Sequence, residues 1–161
     1  MSAPAPAVGR YALVTEDCAV RFTARSLGLP VRGELSLRSG HVQVGDAGAT
    51  VTAVLDAGSF RTRSARRDRD VRSPRFLDAA RCPDMVFTGR WDGPGTPLAG
   101  DLAVKGVTGH VALDVTIEDG FGGPVVRARG RVDRRAFPVG PRRGPIGRWV
   151  DVELEVRPRP E

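Results

Sequence analysis

The sequence predicts an all-β fold, an extended antiparallel eight-stranded β-barrel with one short helix near its end. Most of the chain alternates apolar and polar residues, which is typical of strands with one dry and one solvated face, as antiparallel sheets allow. Turn-forming residues separate the alternating runs. One charged segment, residues 59–88, breaks the alternation and predicts a helical lid or plug on the closed sheet.

The alternating runs supply the strands in chain order. They cover residues 20–25, 31–38, 50–55, 98–105, 111–118, 126–133 and 150–157. Glycine, proline and aspartate lie between them, at residues 39–40, 45–48, 92–95, 106–109 and 118–124. These residue types supply the positive or fixed φ angles that tight reversals need. Seven or eight strands at this spacing are typical of a β-sandwich or barrel.

The interrupting segment predicts a helix at about residues 64–73. Ser64 can cap its start, and Asp68 and Asp70 lie in the early turns, where the helix dipole favours carboxylates. Pro74 biases the preceding residue away from the helical region and ends the helix. Phe76 and the adjoining leucine follow at once and must be buried, most simply in an open end of the barrel.

The predicted dry face is rich in small residues. They are Ala24, Gly33, Ala53, Gly100, Ala128 and Gly130. A barrel of about eight strands has room either for packed side chains or for one ligand. Small inward residues favour a ligand cavity, and the alternative is that the glycines mark bends and bulges where strands coil.

The length of 161 residues fits one domain. We expect a disordered leader at residues 1–8, a single barrel domain at 9–157 and a frayed tail at 158–161. No run approaches the roughly 20 apolar residues of a membrane span. The first residues have neither the basic start nor the apolar core of a secretory signal, so a cytoplasmic location is expected.

The polar residues exclude several function classes. The net charge of +6 is carried almost wholly by arginine, but the arginines are spread over many strands and mixed with aspartates, so nucleic-acid binding is not expected. Two cysteines and two histidines form no metal-site spacing, and neither a metal nor another cofactor is expected. No catalytic motif occurs, and His110 near Asp114 is predicted to lie on the wet face, so no catalytic residue is assigned.

Short motifs spread along the chain carry a resemblance. They are Gly9-Arg10-Tyr11, Val20-Arg21-Phe22, Val31-Arg32-Gly33, Ser59 with Thr62, Arg67-Asp68, Phe76, Pro83 with Phe87, Leu98-Ala99-Gly100-Asp101-Leu102, Gly106-Val107-Thr108, and Arg134 with Phe137. In this order and spacing, from about Gly9 to Val156, they resemble the YceI family of lipocalin-like, polyisoprenoid-binding proteins.

The resemblance implies a lipocalin-like barrel whose bore binds a long isoprenoid chain, such as a polyprenyl or quinone tail. It also implies a possible homodimer, because relatives often pair. The chain departs from the family pattern at three positions. Ser26 replaces a common histidine, His110 replaces a common proline, and Pro138 follows Phe137 where glycine is usual.

Nine residues are predicted to contact the ligand. The bore lining consists of Phe22, Leu35, Phe76, Phe87, Leu102, Val104 and Leu113, and the alternative for each is plain core packing. Arg67 and Arg134 could meet an anionic head group, since the guanidinium fork suits phosphate. The alternatives are that Asp68 binds backbone at the helix start while Arg67 pairs with a strand carboxylate, and that Arg134 is solvated or paired.

Three functions remain open on the sequence. The first is a carrier or sequestering protein for an isoprenoid-type lipid, with an apolar ligand as its partner and no chemistry of its own. The second is a small enzyme that uses the bore to fold and cyclise a polyene or polyketide-like substrate, working mainly by holding a reactive conformer. The third is a basic interaction module that acts through its arginine face.

Overall fold

The computed structural model describes residues 6–161 and consists almost wholly of strands. The strands are β1 (Gly9–Ala12), β2 (Cys18–Ser26), β3 (Leu29–Gly45), β4 (Gly48–Arg61), β5 (Asp84–Trp91), β6 (Leu98–Val104), β7 (Val107–Gly120), β8 (Gly123–Asp133), β9 (Trp149–Val156) and β10 (Arg159–Pro160). One helix, α1 (Ala65–Arg72), and two 3-10 turns, Thr15–Asp17 and Arg134–Ala136, complete the described elements. Residues 1–5 of the expected leader lie outside the described part.

Strands β2 to β9 form the closed barrel that the sequence predicts. Each is antiparallel to its neighbour, and the pairings β3–β4 and β2–β9 close the ring. The short strands β1 and β10 pair with each other, and β1 also pairs with β3, so both extend the wall beyond β2 and β9. Residues 158–161, expected to fray, instead carry β10, and the Glu161 carboxylate forms an ion pair with Arg10 and lies 3.1 Å from Nδ1 of His41.

The helix lies where the sequence predicts it. Ser64 is the N-cap, and its side chain accepts a hydrogen bond from the backbone N–H of Arg67. The chain leaves the helix at Ser73, directly before Pro74. No helix among residues 6–161 is long and apolar enough to cross a membrane.

Irregular pairing between β3 and β4 changes which residues face inward. The register shifts between Leu37 and Ser39. Before this shift the odd-numbered residues of β3 face the interior, and after it the even-numbered residues Val42 and Val44 do. A second shift lies between Glu34 and Ser36. Ser59 bridges the two strands there, because its hydroxyl donates to the carbonyl of Asp56 and accepts from the N–H of Ser36. Such bulges bend strands and increase their coiling, which barrel closure needs.

The barrel has two distinct ends. The helix end carries α1, the turns at residues 27–28 and 105–106, and the segment 134–148 that joins β8 to β9. The opposite end carries the turns at residues 46–47, 92–97 and 121–122.

Two hairpin turns at the helix end have the same backbone form. In each, two successive residues have positive φ, 53° and 79° at Leu27 and Gly28 and 53° and 76° at Lys105 and Gly106. This is the geometry of a type I′ turn, whose first position favours asparagine, aspartate or glycine. The Lys105 amine donates to the carbonyls of Pro74 and Pro138, at 3.0 and 2.9 Å, which offsets the strain there.

The Leu27 side chain cannot make such hydrogen bonds, and replacing it should stabilise the fold. Leu27→Asn is expected to raise the free energy of unfolding by about 1 kcal/mol, because asparagine tolerates the left-handed region better than leucine. Leu29→Asn, at the same hairpin but with ordinary backbone, is the control and should show no gain. Chemical denaturation measures both, and an equal change in the two variants would contradict the strain at Leu27.

Candidate functional site

An elongated cavity of about 680 Å³ runs through the barrel. All eight barrel strands line it, and nearly every lining side chain is apolar. On β3 the lining extends from Val31 to Val44, which at about 3.3 Å per residue and a tilt of about 40° spans roughly 30 Å of the barrel axis. The bore is therefore long and narrow rather than a compact pocket.

All seven residues predicted for the bore line this cavity. They are Phe22, Leu35, Phe76, Phe87, Leu102, Val104 and Leu113. Phe22 stacks on Phe60 with ring centroids 4.9 Å apart, and Val104 belongs to the same cluster of packed residues, which lies toward the helix end. These two side chains therefore serve core packing as well. Contact of any of the seven with a ligand stays a prediction.

Several lining residues were missed by the sequence reasoning. Val42 and Val44 were missed because the bulge in β3 reverses the alternation that predicts inward residues. Trp91, by contrast, follows a readable signal, since Met85, Phe87 and Trp91 alternate along β5 and all line the bore. The indole N–H of Trp91 is buried without a hydrogen-bond partner among the described residues.

The small inward residues divide into two groups. Ala24, Ala53 and Ala128 line the cavity, as the prediction of a hollow bore requires. The three glycines do not line it, because a Cβ at Gly33 would collide with the Phe22 ring and one at Gly130 with Leu113. A Cβ at Gly100 would collide with the backbone of Thr88 and Gly89 on the neighbouring strand. The glycines therefore allow close packing, whereas the register shifts lie elsewhere, between Glu34 and Ser36 and between Leu37 and Ser39.

The bore is electrically asymmetric. Its exposed lining residues all lie at the helix end, namely Arg25, Arg66, Arg67, Asp70 and Pro145. Ser26, the departure from the family's histidine, also lines this end. At the opposite end the lining residues are apolar or aromatic and none is exposed. A ligand with one polar terminus would therefore find charged partners only at the helix end.

Within the Arg67–Asp68 pair, Asp68 has a structural role. Asp68 is only 6% exposed, and its Oδ1 accepts hydrogen bonds from the backbone N–H and the hydroxyl of Thr62, at 2.8 and 2.7 Å. This fixes the connection from β4 into the helix. Arg67 forms no ion pair with any carboxylate of residues 6–161, and its exposed guanidinium reaches the Thr62 hydroxyl at 3.5 Å. Arg67 is thus free to meet a head group, whereas Asp68 is not.

Removing the Asp68 carboxylate should destabilise the protein. Asp68→Ala leaves the Thr62 N–H and hydroxyl without their acceptor, and we expect the free energy of unfolding to fall by about 2 kcal/mol. Asp68→Asn retains an acceptor oxygen and should recover part of this loss. The control is Asp70→Ala, an exposed aspartate on the same helix, which should change stability by less than about 0.5 kcal/mol. Equal losses for the two alanine variants in chemical denaturation would contradict this role.

Arg134 is buried and coordinates backbone. It is 7% exposed, and its Nε and Nη2 donate to the carbonyls of Gly147 and Ile146, each at 3.0 Å. Its Nη1 donates to the carbonyls of Val139 and Pro141, at 2.9 and 2.8 Å. Burial, with a contribution from the Arg135 charge, lowers the pKa of Arg134 from its usual value. Four of its five N–H groups therefore donate to backbone carbonyls. Only one N–H group of Arg134 would remain for the predicted contact with a head group.

His110 lies on the outer wall. Its side chain is exposed and its Nδ1 is 3.7 Å from the Asp101 carboxylate on the neighbouring strand, rather than beside Asp114. Cys18 lies at the start of β2, and burial raises the pKa of its thiol above the ordinary value. Neither group lines the bore.

Comparison of the sequence with known proteins finds one family. The model of the YceI-like domain matches residues 11–157. Protein YceI of Escherichia coli O17:K52:H18 is 30% identical over 115 residues, which cover 66% of this chain and 60% of that protein. A protein of Enterobacter sp. strain 638 is 29% identical over the same coverage. The match thus spans three fifths of the length of these relatives.

Comparison of the structure finds the same barrel in solved proteins. BcnA of Burkholderia cenocepacia has a TM-score of 0.77 at 18% identity, with 89% of this chain and 98% of that chain covered. A polyisoprenoid binding domain from Saccharophagus degradans, implicated in plant cell wall breakdown, has a TM-score of 0.68 at 11% identity, with 96% and 100% covered. The YceI protein of Campylobacter jejuni has a TM-score of 0.63 at 20% identity, with 74% and 78% covered. At these identities the likeness is one of fold.

Proposed function

We propose, from the premise that this chain belongs to the YceI-like domain family, that it binds a long apolar isoprenoid-type lipid in the barrel bore. The ligand is a polyprenyl or quinone tail, and the protein carries or sequesters it without changing it. The observation that carries this proposal is the bore itself, apolar along roughly 30 Å and charged only at the helix end. The solved domain from Saccharophagus degradans, which bears the name polyisoprenoid binding, supports the class of ligand.

The size and shape of the bore support a chain-like ligand. Its volume of about 680 Å³ lies within the range of roughly 300 to 1,000 Å³ that small-molecule sites occupy. Its length is close to the roughly 30 Å thickness of a bilayer's hydrocarbon core, which is the environment that a long lipid tail leaves on binding. A bulky, compact ligand would not use this length.

The energetics favour a tail that needs few polar contacts. Each Å² of apolar surface removed from water contributes about 25 cal/mol, so successive isoprene units add affinity along the bore. The Trp91 indole N–H is a buried donor without a partner among residues 6–161 at the opposite end, and the charged groups at the helix end could meet a polar head group. Affinity would therefore depend on chain length more than on head-group chemistry.

A carrier fits the lining better than an enzyme does. The charged side chains that line the bore lie at its helix end, the Tyr11 phenol lies at the opposite end, and the central section is formed by aliphatic and aromatic side chains. A proton transfer within the central section would find no acid or base there among residues 6–161. The cytoplasmic location and the pairing of two copies stay predictions.

Native mass spectrometry of the purified protein tests the proposal. The full chain is mixed with polyprenols and quinones of increasing tail length, and binding of one molecule per chain is expected to strengthen as the tail lengthens. The same assay after incubation with a polyene reports turnover, because a cyclase would release a changed product while a carrier returns the ligand intact. Failure to bind any tail, or affinity that ignores its length, would overturn the proposal.

A further inference from the structure

The charges of this protein are strongly divided between its ends. The segments at the helix end, residues 25–29, 62–82, 105–106 and 133–148, hold fourteen lysines and arginines and four carboxylates. The rest of the chain holds eleven cationic and fifteen acidic side chains. The helix end therefore carries a net charge of +10 while the remainder carries −4. We call the cationic side chains of these four segments the arginine rim.

Most of the arginine rim is not neutralised within the chain. Within residues 6–161, Arg148 is the member of the rim that forms an ion pair, with Asp133 at 3.0 Å. Elsewhere nine of the eleven cationic residues pair with carboxylates, as Arg129 does with Glu153 at 2.9 Å. Arg142 and Arg143 are exposed rim residues on the segment that joins β8 to β9. This surface therefore attracts anions strongly.

Exposed leucines lie on the same end. Leu27 is 80% exposed and Leu29 is 68% exposed, and together they form the tip of the β2–β3 hairpin. Leu27 also has a φ of 53°, in a turn position where a polar residue would relieve strain and exposure together. An exposed leucine with unfavourable backbone geometry indicates a role outside the folding of the domain.

The hairpin tip lies beside the entrance to the bore. The Leu27 N–H donates to the carbonyl of Pro145, and the Gly147 N–H donates to the carbonyl of Arg25, at 2.9 and 2.8 Å. Arg25 and Pro145 are both exposed lining residues of the cavity. Trp149 starts β9 at this same end; it is exposed, and the guanidinium of Arg148 lies 4.8 Å from the centre of its ring. An aromatic ring with an adjacent cation suits the water–lipid boundary.

We infer that the helix end is a docking surface for anionic lipid membranes. The arginine rim lies against the negatively charged head groups, and Leu27 and Leu29 enter the head-group region, which places the bore's entrance at the lipid surface. Basic residues and short apolar insertions are the two features that hold peripheral proteins on such surfaces. That this docking serves to load or deliver an apolar ligand rests on the function proposed above, whereas the docking itself does not.

Vesicle binding by the full chain tests the inference. Vesicles of phosphatidylcholine with one third phosphatidylglycerol should bind the protein at low salt, and vesicles of pure phosphatidylcholine should bind it far less. Arg142→Gln combined with Arg143→Gln is expected to weaken binding about tenfold to thirtyfold, since each basic residue near an anionic surface contributes substantially. Leu27→Asn should weaken it about tenfold through the lost apolar insertion.

Matched controls separate docking through the helix end from non-specific binding. Arg129→Gln combined with Arg131→Gln removes the same charge from the barrel wall and should leave vesicle binding nearly unchanged. Phe121→Ser removes an exposed aromatic residue at the opposite end, shortly after the acidic residues Glu118 and Asp119, and should also have little effect on vesicle binding. The inference is overturned if the wall or opposite-end variants lose binding as the helix-end variants do. It is equally overturned if neutral vesicles bind as well, or if duplex DNA binds while anionic vesicles do not.

The two proposals fail separately. Ligand binding in vesicle-free solution reports only on the bore, and vesicle binding by ligand-free protein reports only on the surface. A protein that holds a polyprenol yet ignores anionic vesicles overturns the docking inference alone. A protein that docks on vesicles but binds no tail overturns the proposed function, and the docking inference stands.

Discussion

Ala128→Phe is expected to weaken binding of a long apolar tail by at least about a hundredfold, close to 3 kcal/mol. Ala128 lies in the middle of β8, between Val115 on β7 and Leu154 on β9, and all three side chains line the bore. A phenyl ring there would project into the channel and leave no continuous path for a chain. Titration with a polyprenol or quinone in detergent-free buffer, followed by native mass spectrometry, measures the loss.

The same substitution should leave the stability of the fold nearly unchanged. Because the ring enters an existing cavity of about 680 Å³ rather than a packed core, we expect the free energy of unfolding to change by less than about 1 kcal/mol. The control is Ala112→Phe, which makes the same change on the exposed outer face of β7 and should bind the tail normally. Undiminished binding by Ala128→Phe would mean that the bore does not hold the ligand.

Arg134→Ala is expected to lower the free energy of unfolding by about 3 to 5 kcal/mol, since four backbone carbonyls lose a charged donor at once. The segment that these carbonyls belong to runs from Val139 to Gly147 and has little regular structure of its own. Chemical denaturation should show the loss, and protease digestion should cut first within this segment. Arg134→Lys offers one compact ammonium group and should recover only part of the stability.

Two comparisons decide what Arg134 does. Arg135→Ala removes an exposed neighbour of the same type and should change stability by less than about 0.5 kcal/mol. Binding of tails with and without a phosphate head group, measured on Arg134→Lys, tests the earlier prediction of a head-group contact. A selective loss for the phosphorylated tail, with stability unchanged, would assign Arg134 to ligand binding rather than to the backbone.

Much of the barrel was predictable because its signals are local. In β6, β7, β8 and β9 all residues that line the bore belong to one alternating set, so the inward residues could be read directly. The helix was equally readable from Ser64 at its start and Pro74 after its end. Seven bore residues could therefore be placed from the sequence, among them Phe87 and Leu113.

The features that could not be predicted depend on distant parts of the chain. The bulges between β3 and β4 reverse the inward face, and a one-residue change of register moves every later side chain to the other side. The carbonyls around Arg134 come together only when the β8–β9 connection folds, so sequence spacing gave no sign of them. The division of charge was likewise hidden, because arginines spread along the chain come to one end only in three dimensions.

The pairing of β2 with β9 has a consequence for how the protein forms. Cys18 lies opposite Val156 in this seam, so the ring closes only after the chain has been made as far as β9. Until then the edge of β2 presents unpaired N–H and carbonyl groups that another growing chain could join. Folding dominated by such distant contacts takes milliseconds to seconds. We therefore expect association between incompletely folded chains, rather than instability of the finished barrel, to limit the yield of protein.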